Sequence, residues 1–454
     1  MKRSKMMVGL LATGALVLAA CGGDDDDGAD TTAAPATTAA PVETEAPDGT
    51  DAPETTAAPA DTEAPGGTDA PVDTEAPDGP VAADPSLSPV VVGFHNLEGG
   101  AVSLPELRES FEAGVEYVNS QLGGINGHPM EVNSCNVDFT PETSINCANK
   151  FVDENVVVSV TGADFVFDAA LPILQEAGIV DLTPYAAGPL SNTAQGDVYS
   201  LTYSNEEGFA ASLVLLKNLG ATTVAQVHAD IPAMQASMTD TVEPVAETLG
   251  LEIQPYFYTS GQTDWPTFAA TMLTGNPDAI NIFATDADCI GAVQALRDAG
   301  FDGTIVAGVC VSLATQLDTA LLDKVYVGST FYNPDMVNIP EEVQPEVDIF
   351  TSYVDWDTLT TPGSALQGFY MAVMTADMLR QVPGDEISAA DVKNALGSTS
   401  GSTFMRGGEY DCSQPTWPGT TACASGFIYS AITADGDFEV LPDQPVDISG
   451  VRPA

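Results

Sequence analysis

Val90-Val91-Val92-Gly93-Phe94, running into the loop His95-Asn96-Leu97-Glu98-Gly99-Gly100, opens the stretch whose reading decides the fold. A helical pattern follows from about Pro105 to Gln121, then the turn Gly123-Gly124-Ile125-Asn126-Gly127-His128-Pro129. A second apolar run (Met130 to Asn133), a second helix and a third run (Val156 to Val160) come next, the last ending in Thr161-Gly162-Ala163-Asp164. A third helix leads to Gly178-Ile179-Val180-Asp181-Leu182-Thr183-Pro184. Short apolar runs alternating with helical periodicity predict α/β architecture, a parallel sheet wrapped by helices. In such sheets ligands sit where the carboxyl ends of the strands open into loops.

The alternation continues beyond Pro184. Thr223 to His228, Ile253 to Tyr258, Asp278 to Ala284, Thr304 to Ala307 and Val325 to Thr330 read as strands, separated by helices that close at Gly220, Gly250 and Gly300. A long helical stretch runs from Pro362 to Gln381 and a shorter one from Ser388 to Leu396. Gly408 to Val440 reads as antiparallel strands, of which Phe427-Ile428-Tyr429-Ser430-Ala431-Ile432 is the clearest.

The 454 residues carry 65 acidic against 12 basic side chains, a formal charge of -53. Such a field repels nucleic acid and anionic membrane surfaces and excludes both as partners. The first 85 or so residues are not globular. Lys2, Arg3 and Lys5 precede an apolar run from Met6 to Ala20, the pattern of an export signal over residues 1–20 and too short for a permanent span. Leu18-Ala19-Ala20-Cys21 looks like a bacterial lipobox, which implies lipid on Cys21. Residues 21–87 repeat Thr-Glu-Ala-Pro with almost no large apolar side chains, the composition of an extended, self-repelling tether.

Six cysteines remain in the folded part, an even number in an exported chain. Sequence proximity favours the pairs Cys135–Cys147, Cys289–Cys310 and Cys412–Cys423; the second pair lies just after two apolar runs, at the ends of neighbouring strands. With no Cys-x-x-Cys spacing and three histidines in all, disulfides are expected and no metal. No Gly-x-Ser-x-Gly elbow, phosphate loop or His-Glu-x-x-His motif is present, so no catalytic residue, cofactor or enzyme activity is assigned.

Ala113-Gly114, Val118-Asn119, Gly123-Gly124-Ile125-Asn126-Gly127, Ala148-Asn149-Lys150-Phe151-Val152, Gly178-Ile179 with Leu182-Thr183-Pro184, and Leu296-Arg297 with Ala299-Gly300-Phe301 together give a pattern. In them the chain from about Val90 to Val440 resembles the leucine/isoleucine/valine-type solute-binding proteins of ABC importers. The resemblance implies two doubly wound lobes with parallel central sheets, joined by a three-strand hinge with the ligand cleft between them. Lobe 1 would take 88–203 plus 331–403, and lobe 2 204–330 plus 404–440, with 441–454 as a tail. The hinge crossings would fall near Tyr203-Ser204, Ser329-Thr330 and Ser402-Phe404. It further implies a monomeric, extracytoplasmic protein, lipid-anchored to the outer face of the membrane, that hands a small molecule to an ABC permease. A ligand-sensing co-receptor and an extracytoplasmic hydrolase are the alternatives.

By this resemblance the ligand-binding set comprises Phe94, His95, Asn96, Glu98, Ala163, Asp164, Phe165, Tyr185 and Ala186 from the first lobe. From the second it takes His228, Thr285, Asp286 and Val309. The chain departs from the family where amino-acid ligands are gripped. Ala163-Asp164-Phe165-Val166-Phe167 replaces a serine-rich cluster, Thr285 stands where a tyrosine is expected, and Val309-Cys310 where an acidic residue is expected. Aromatic side chains with a few polar groups suit a small apolar or aromatic molecule, an amide or a cation.

Overall fold

Two sheets organise the chain in the computed structural model, which describes residues 81–100, 102–308 and 310–453. The export signal, Cys21, the tether to residue 80 and Val309 lie outside the described residues. The first sheet holds β1 (Val90–Leu97), β2 (Met130–Val137), β3 (Val158–Ala163), β4 (Asp181–Thr183) and β5 (Val198–Ser200) in the order β2-β1-β3-β4-β5, every pair parallel. A parallel sheet is covered on both faces, which is why its central strands read as unbroken apolar runs. Val92, Phe94 and Leu97 of β1 and Val158 and Val160 of β3 are wholly buried. Gly93 has its own reason: a Cβ there would stand 2.8 Å from the ring of Phe151, on the helix Pro141–Asp153.

The second sheet contains β6 (Thr223–Ala229), β7 (Glu252–Tyr258), β8 (Ala279–Ile282), β9 (Thr304–Val306) and β10 (Val325–Ser329), all parallel. Three more strands extend it, giving β11-β15-β14-β10-β9-β8-β6-β7. They are β11 (Met336–Val337), β14 (Ile428–Ile432) and β15 (Phe438–Val440), with β14 antiparallel to both β10 and β15. The sheet is therefore mixed, and the antiparallel character read in the C-terminal region is present. A small hairpin, β12 (Ser400–Ser402) with β13 (Glu409–Asp411), stands apart.

Between sheets the chain passes three times. It leaves β5 and enters the helix Asn205–Asn218 through Leu201–Ser204, and Ser204 caps that helix by accepting from the Glu207 amide. It returns after Ser329, and the buried helix Pro362–Arg380 packs along the helix Pro105–Gln121 in the first core. The third passage departs from the sequence-based boundary. Phe404, Met405, Tyr410, Cys412, Cys423 and Ala424 all belong to the first core. The Cys423 amide donates to Ser200 O and the Ser200 amide to Thr421 O. The crossing thus lies at Ala424–Phe427, and the buried residues from Phe404 to Ala424 pack with the first lobe except Trp417, which enters the second core. The tail is not free either, since Val446, Ile448 and Val451 are buried in the second lobe. At the other end, Val81 and Ala83 already bond the backbone of Asn119, Gln121 and Gly123.

All three cysteine pairings read from the sequence are formed. Cys289–Cys310 ties the helix after β8 to the loop after β9.

The two long helices touch through small residues. A Cβ on Gly114 would lie 2.7 Å from Ala372 Cβ and 3.0 Å from Phe369 O. Gly114→Ala is expected to cost about 1–3 kcal/mol through overpacking, despite the better helix propensity of alanine. Urea denaturation measures this; an unchanged or higher midpoint would show that the helices can part without loss.

Candidate functional site

The carboxyl ends of β1, β2, β3 and β4 share one edge of the first sheet, and each opens into a loop held by its own side chains. Asp138, after β2, accepts from the Thr140 amide at 2.7 Å and from the hydroxyls of Thr140 and Thr143. Asp164, after β3, accepts from the Val166 amide at 3.0 Å and from Ser144 Oγ at 2.5 Å. These turns leave Phe139 and Phe165 projecting side by side, rings 5.8 Å apart and 10° from parallel. Phe139 is 48% exposed, an unusual state for so large an apolar side chain placed at a strand's end.

After β4 the Pro184 carbonyl accepts from the Thr202 amide and hydroxyl and from Ser200 Oγ, which locks this loop to the first crossing. Tyr185 then stacks on Tyr203 at 6.3 Å, and Tyr203 meets Phe427 edge-on at 4.5 Å. Burial pushes the hydroxyls of Tyr185 and Tyr203 up, so both stay neutral donors. An aromatic column therefore runs from the loop after β4 through the first crossing to the third. On the second sheet, half-buried Phe283 follows β8 and packs on Phe209 at 4.7 Å.

Beneath the first edge lies a sealed polar cluster. His95 Nδ1 is 3.2 Å from Asp164 Oδ2, and its Nε2 is 2.9 Å from Thr161 Oγ1 and 3.4 Å from Asp181 Oδ1. Ser159 and Thr161 donate to Asp181 at 2.7 and 2.8 Å. Burial opposes charge on His95, but the hydrogen bonds and fields of Asp164 and Asp181 outweigh it and push its pKa up to about 9. Burial also pushes Asp181 up, against the pull of His95, Ser159 and Thr161. Having two carboxylates around one ring, we assign the shared proton to the imidazole. Ser144, Asp164 and His95 are the residue types of a hydrolytic triad, yet His95 is 2% exposed and Asp164 carries its own loop. No substrate reaches them.

His228 is also interior, at 0% exposure, between Phe209 (5.0 Å) and Phe283 (5.4 Å). Burial without a charged partner pushes it down to about 4, so it is neutral.

Apart from Glu98 and the undescribed Val309, the sequence-predicted residues separate into three groups. Phe94 (stacked on Phe111), His95, Asn96 and His228 lie inside the lobes. Asp164 and Asp286 are buried and engaged in holding loops, Asp286 through the Ser312 hydroxyl. Ala163, Phe165, Tyr185, Ala186 and Thr285 are partly exposed at the edges, though Thr285 also caps the helix Asp286–Asp298. Glu98 is paired with Arg108 at 3.0 Å, and Arg108 also reaches Glu112, so the charge Arg108 brings to this edge is already balanced. Phe139, Tyr203 and Phe283 were not anticipated. Phe139 is detectable as the aromatic two residues beyond an apolar strand, but the strand's end at Val137 is masked by the polar Asn133-Ser134-Cys135-Asn136. Among the described residues no cluster could hold a metal, and no helix is long and apolar enough to cross a membrane. A groove of about 440 Å³ beside Trp265 and Gln294 lies on the second lobe, lined by none of these loops.

A family model described as periplasmic binding protein matches residues 93–415, and the chain belongs to that family. Its fold is similar to a substrate-binding protein of an ABC transporter from Aeropyrum pernix (15% identity, TM-score 0.62, 80% of this chain and 98% of that one). It is also similar to the branched-chain amino acid substrate-binding protein LivJ of Streptococcus pneumoniae with isoleucine bound (16%, 0.58, 78% and 99%). A fatty acid ABC transporter substrate-binding protein from Thermomonospora curvata is a further likeness (14%, 0.60, 83% and 96%). No curated protein sequence matches.

The two histidines predict opposite pH slopes. The folded pKa of His95 lies above the ordinary 6.5, so its contribution to stability is complete below about pH 6.5 and lost as pH rises through about 9. The folded pKa of His228 lies below, so stability falls as pH drops from about 6.5 to about 4. Urea unfolding across pH should show the alkaline decline vanish in His95→Gln and the acid decline shrink in His228→Leu. Identical slopes in both variants would contradict the assigned protonation states.

Proposed function

We propose that this chain is the extracytoplasmic substrate-binding lipoprotein of an ABC importer, capturing a small, largely apolar or aromatic solute between two closing lobes. Family membership supports binding rather than catalysis. The observation that carries the solute class is the aromatic character of the strand ends: the exposed Phe139–Phe165 pair and the Tyr185–Tyr203–Phe427 column, with Arg108 already paired to glutamates. One structural relative holds isoleucine and another is named a fatty acid ABC transporter substrate-binding protein, which supports weighing both a compact amino acid and an aliphatic solute. This chain's departures from the amino-acid grip favour the latter kind of contact, apolar surface with few polar fixings. Cys21 supplies the lipid anchor, the acidic tether the stand-off, and a membrane permease receives the closed, loaded form.

Of the ligand residues expected from the resemblance, Ala163, Phe165, Tyr185, Ala186 and Thr285 are retained as contacts, joined by Phe139, Tyr203 and Phe283. Ligand binding that selects the closed form stabilises it by mass action. Thermal-shift measurements against branched-chain amino acids, fatty acids, aromatic acids and their amides should give a rise of several degrees for an apolar class. Phe139→Ala and Phe165→Ala should each weaken that ligand about 10–100-fold, the share of an aromatic wall, while leaving the unliganded melting temperature nearly unchanged. Stabilisation confined to polar, highly charged solutes, or affinity indifferent to both variants, would sink the proposed solute class. Recovery of chemically altered ligand would replace binding with catalysis.

A further inference from the structure

Where the three passages between the sheets come together, one buried cation touches all of them. Arg406 is 1% exposed. Its Nη1 donates to Thr330 O at 2.8 Å, on the second passage. Its Nη2 donates to Thr202 O at 2.5 Å on the first passage, and to Gly426 O at 3.0 Å and Ser425 O at 3.3 Å on the third. The rings of Phe331 and Tyr370 flank the guanidinium at 5.6 and 5.8 Å.

The residue is delivered by a fourth segment, a tight loop of the first lobe. Thr403 and Gly408 bond each other across it, Met405 and Gly407 take positive φ, and Phe404 and Met405 anchor it in the first core. The Met405 carbonyl accepts from the Tyr332 amide, and the Met405 amide donates to Glu346. On the second-lobe side, the buried Glu207, one turn into the helix Asn205–Asn218, is the carboxylate whose field acts on Arg406.

Chain that has left a sheet has carbonyls without ladder partners, and water is their usual substitute. Here one planar fork replaces water for all three passages. A guanidinium holds its acceptors in fixed mutual directions, which a lysine's point charge does not. We infer that Arg406 is the pivot of lobe closure, a positioning residue that keeps the three crossings in register so that the lobes rotate about it and do not slide or splay. This rests on the closing-lobe function proposed above, but its signature is already present without ligand.

The test uses spin labels on Glu109→Cys and Asp298→Cys, one exposed site per lobe, in the otherwise native chain and in Arg406→Lys. In the ligand-free state the interlobe distance distribution should roughly double in width in Arg406→Lys. Ligand affinity should fall about tenfold, because the closed form is then one of many arrangements. An unchanged width in a folded Arg406→Lys protein overturns the inference, whatever its melting temperature. If that variant does not fold, native-state hydrogen exchange on the unaltered protein decides. Amides of residues 202–204, 330–332 and 425–428 should then open together with one denaturant dependence, and separate openings overturn it. Absence of any ligand-driven change in the native distribution would instead refute lobe closure, leaving the ligand-free comparison to judge Arg406.

Discussion

A chain that shuttles three times between two sheets must satisfy carbonyls that belong to neither, and a single buried guanidinium does so at Arg406. Burying such a charge costs several kcal/mol, and the bonds it makes to oxygens are each worth about 1.5–3 kcal/mol. The balance is narrow but the geometry is demanding, because removing the cation would strand acceptors on every crossing at once. The lobes on either side are built conventionally, from parallel strands and covering helices. What makes them one machine is the way the crossings are gathered.

A second buried charge cluster plays a comparable part inside the first lobe. Asp164 is shared between His95, Ser144 and the amide that forms the next loop, so the sealed interior and the exposed edge are mechanically one piece. Side chains that a sequence presents as ligand groups are thereby committed to scaffolding. The large side chains left at the strand ends are aromatic, and that is a consequence of where the polar groups went.

Much of this was legible beforehand. Apolar runs and glycine punctuation located β1 to β4 and β6 to β10, and the disulfide partners followed from proximity. Three things were not legible, each for a physical reason. β1 continues through His95 and Asn96 to Leu97, because buried partners let polar residues occupy a central strand, and so residues expected in a loop became interior. The third crossing came some twenty residues late, because Phe404 and Met405 satisfy the first core as well as any strand of the second would. Arg406 drew no reading from the sequence, since no local pattern reveals that four carbonyls from three distant crossings will surround it.

If the aromatic edges are two halves of one grip, an apolar ligand should bring them together. Small-angle X-ray scattering on the protein with and without its best-stabilising apolar solute tests this most directly. The radius of gyration should fall at saturation and return to its starting value when ligand is removed. A saturated protein with an unchanged radius would contradict it.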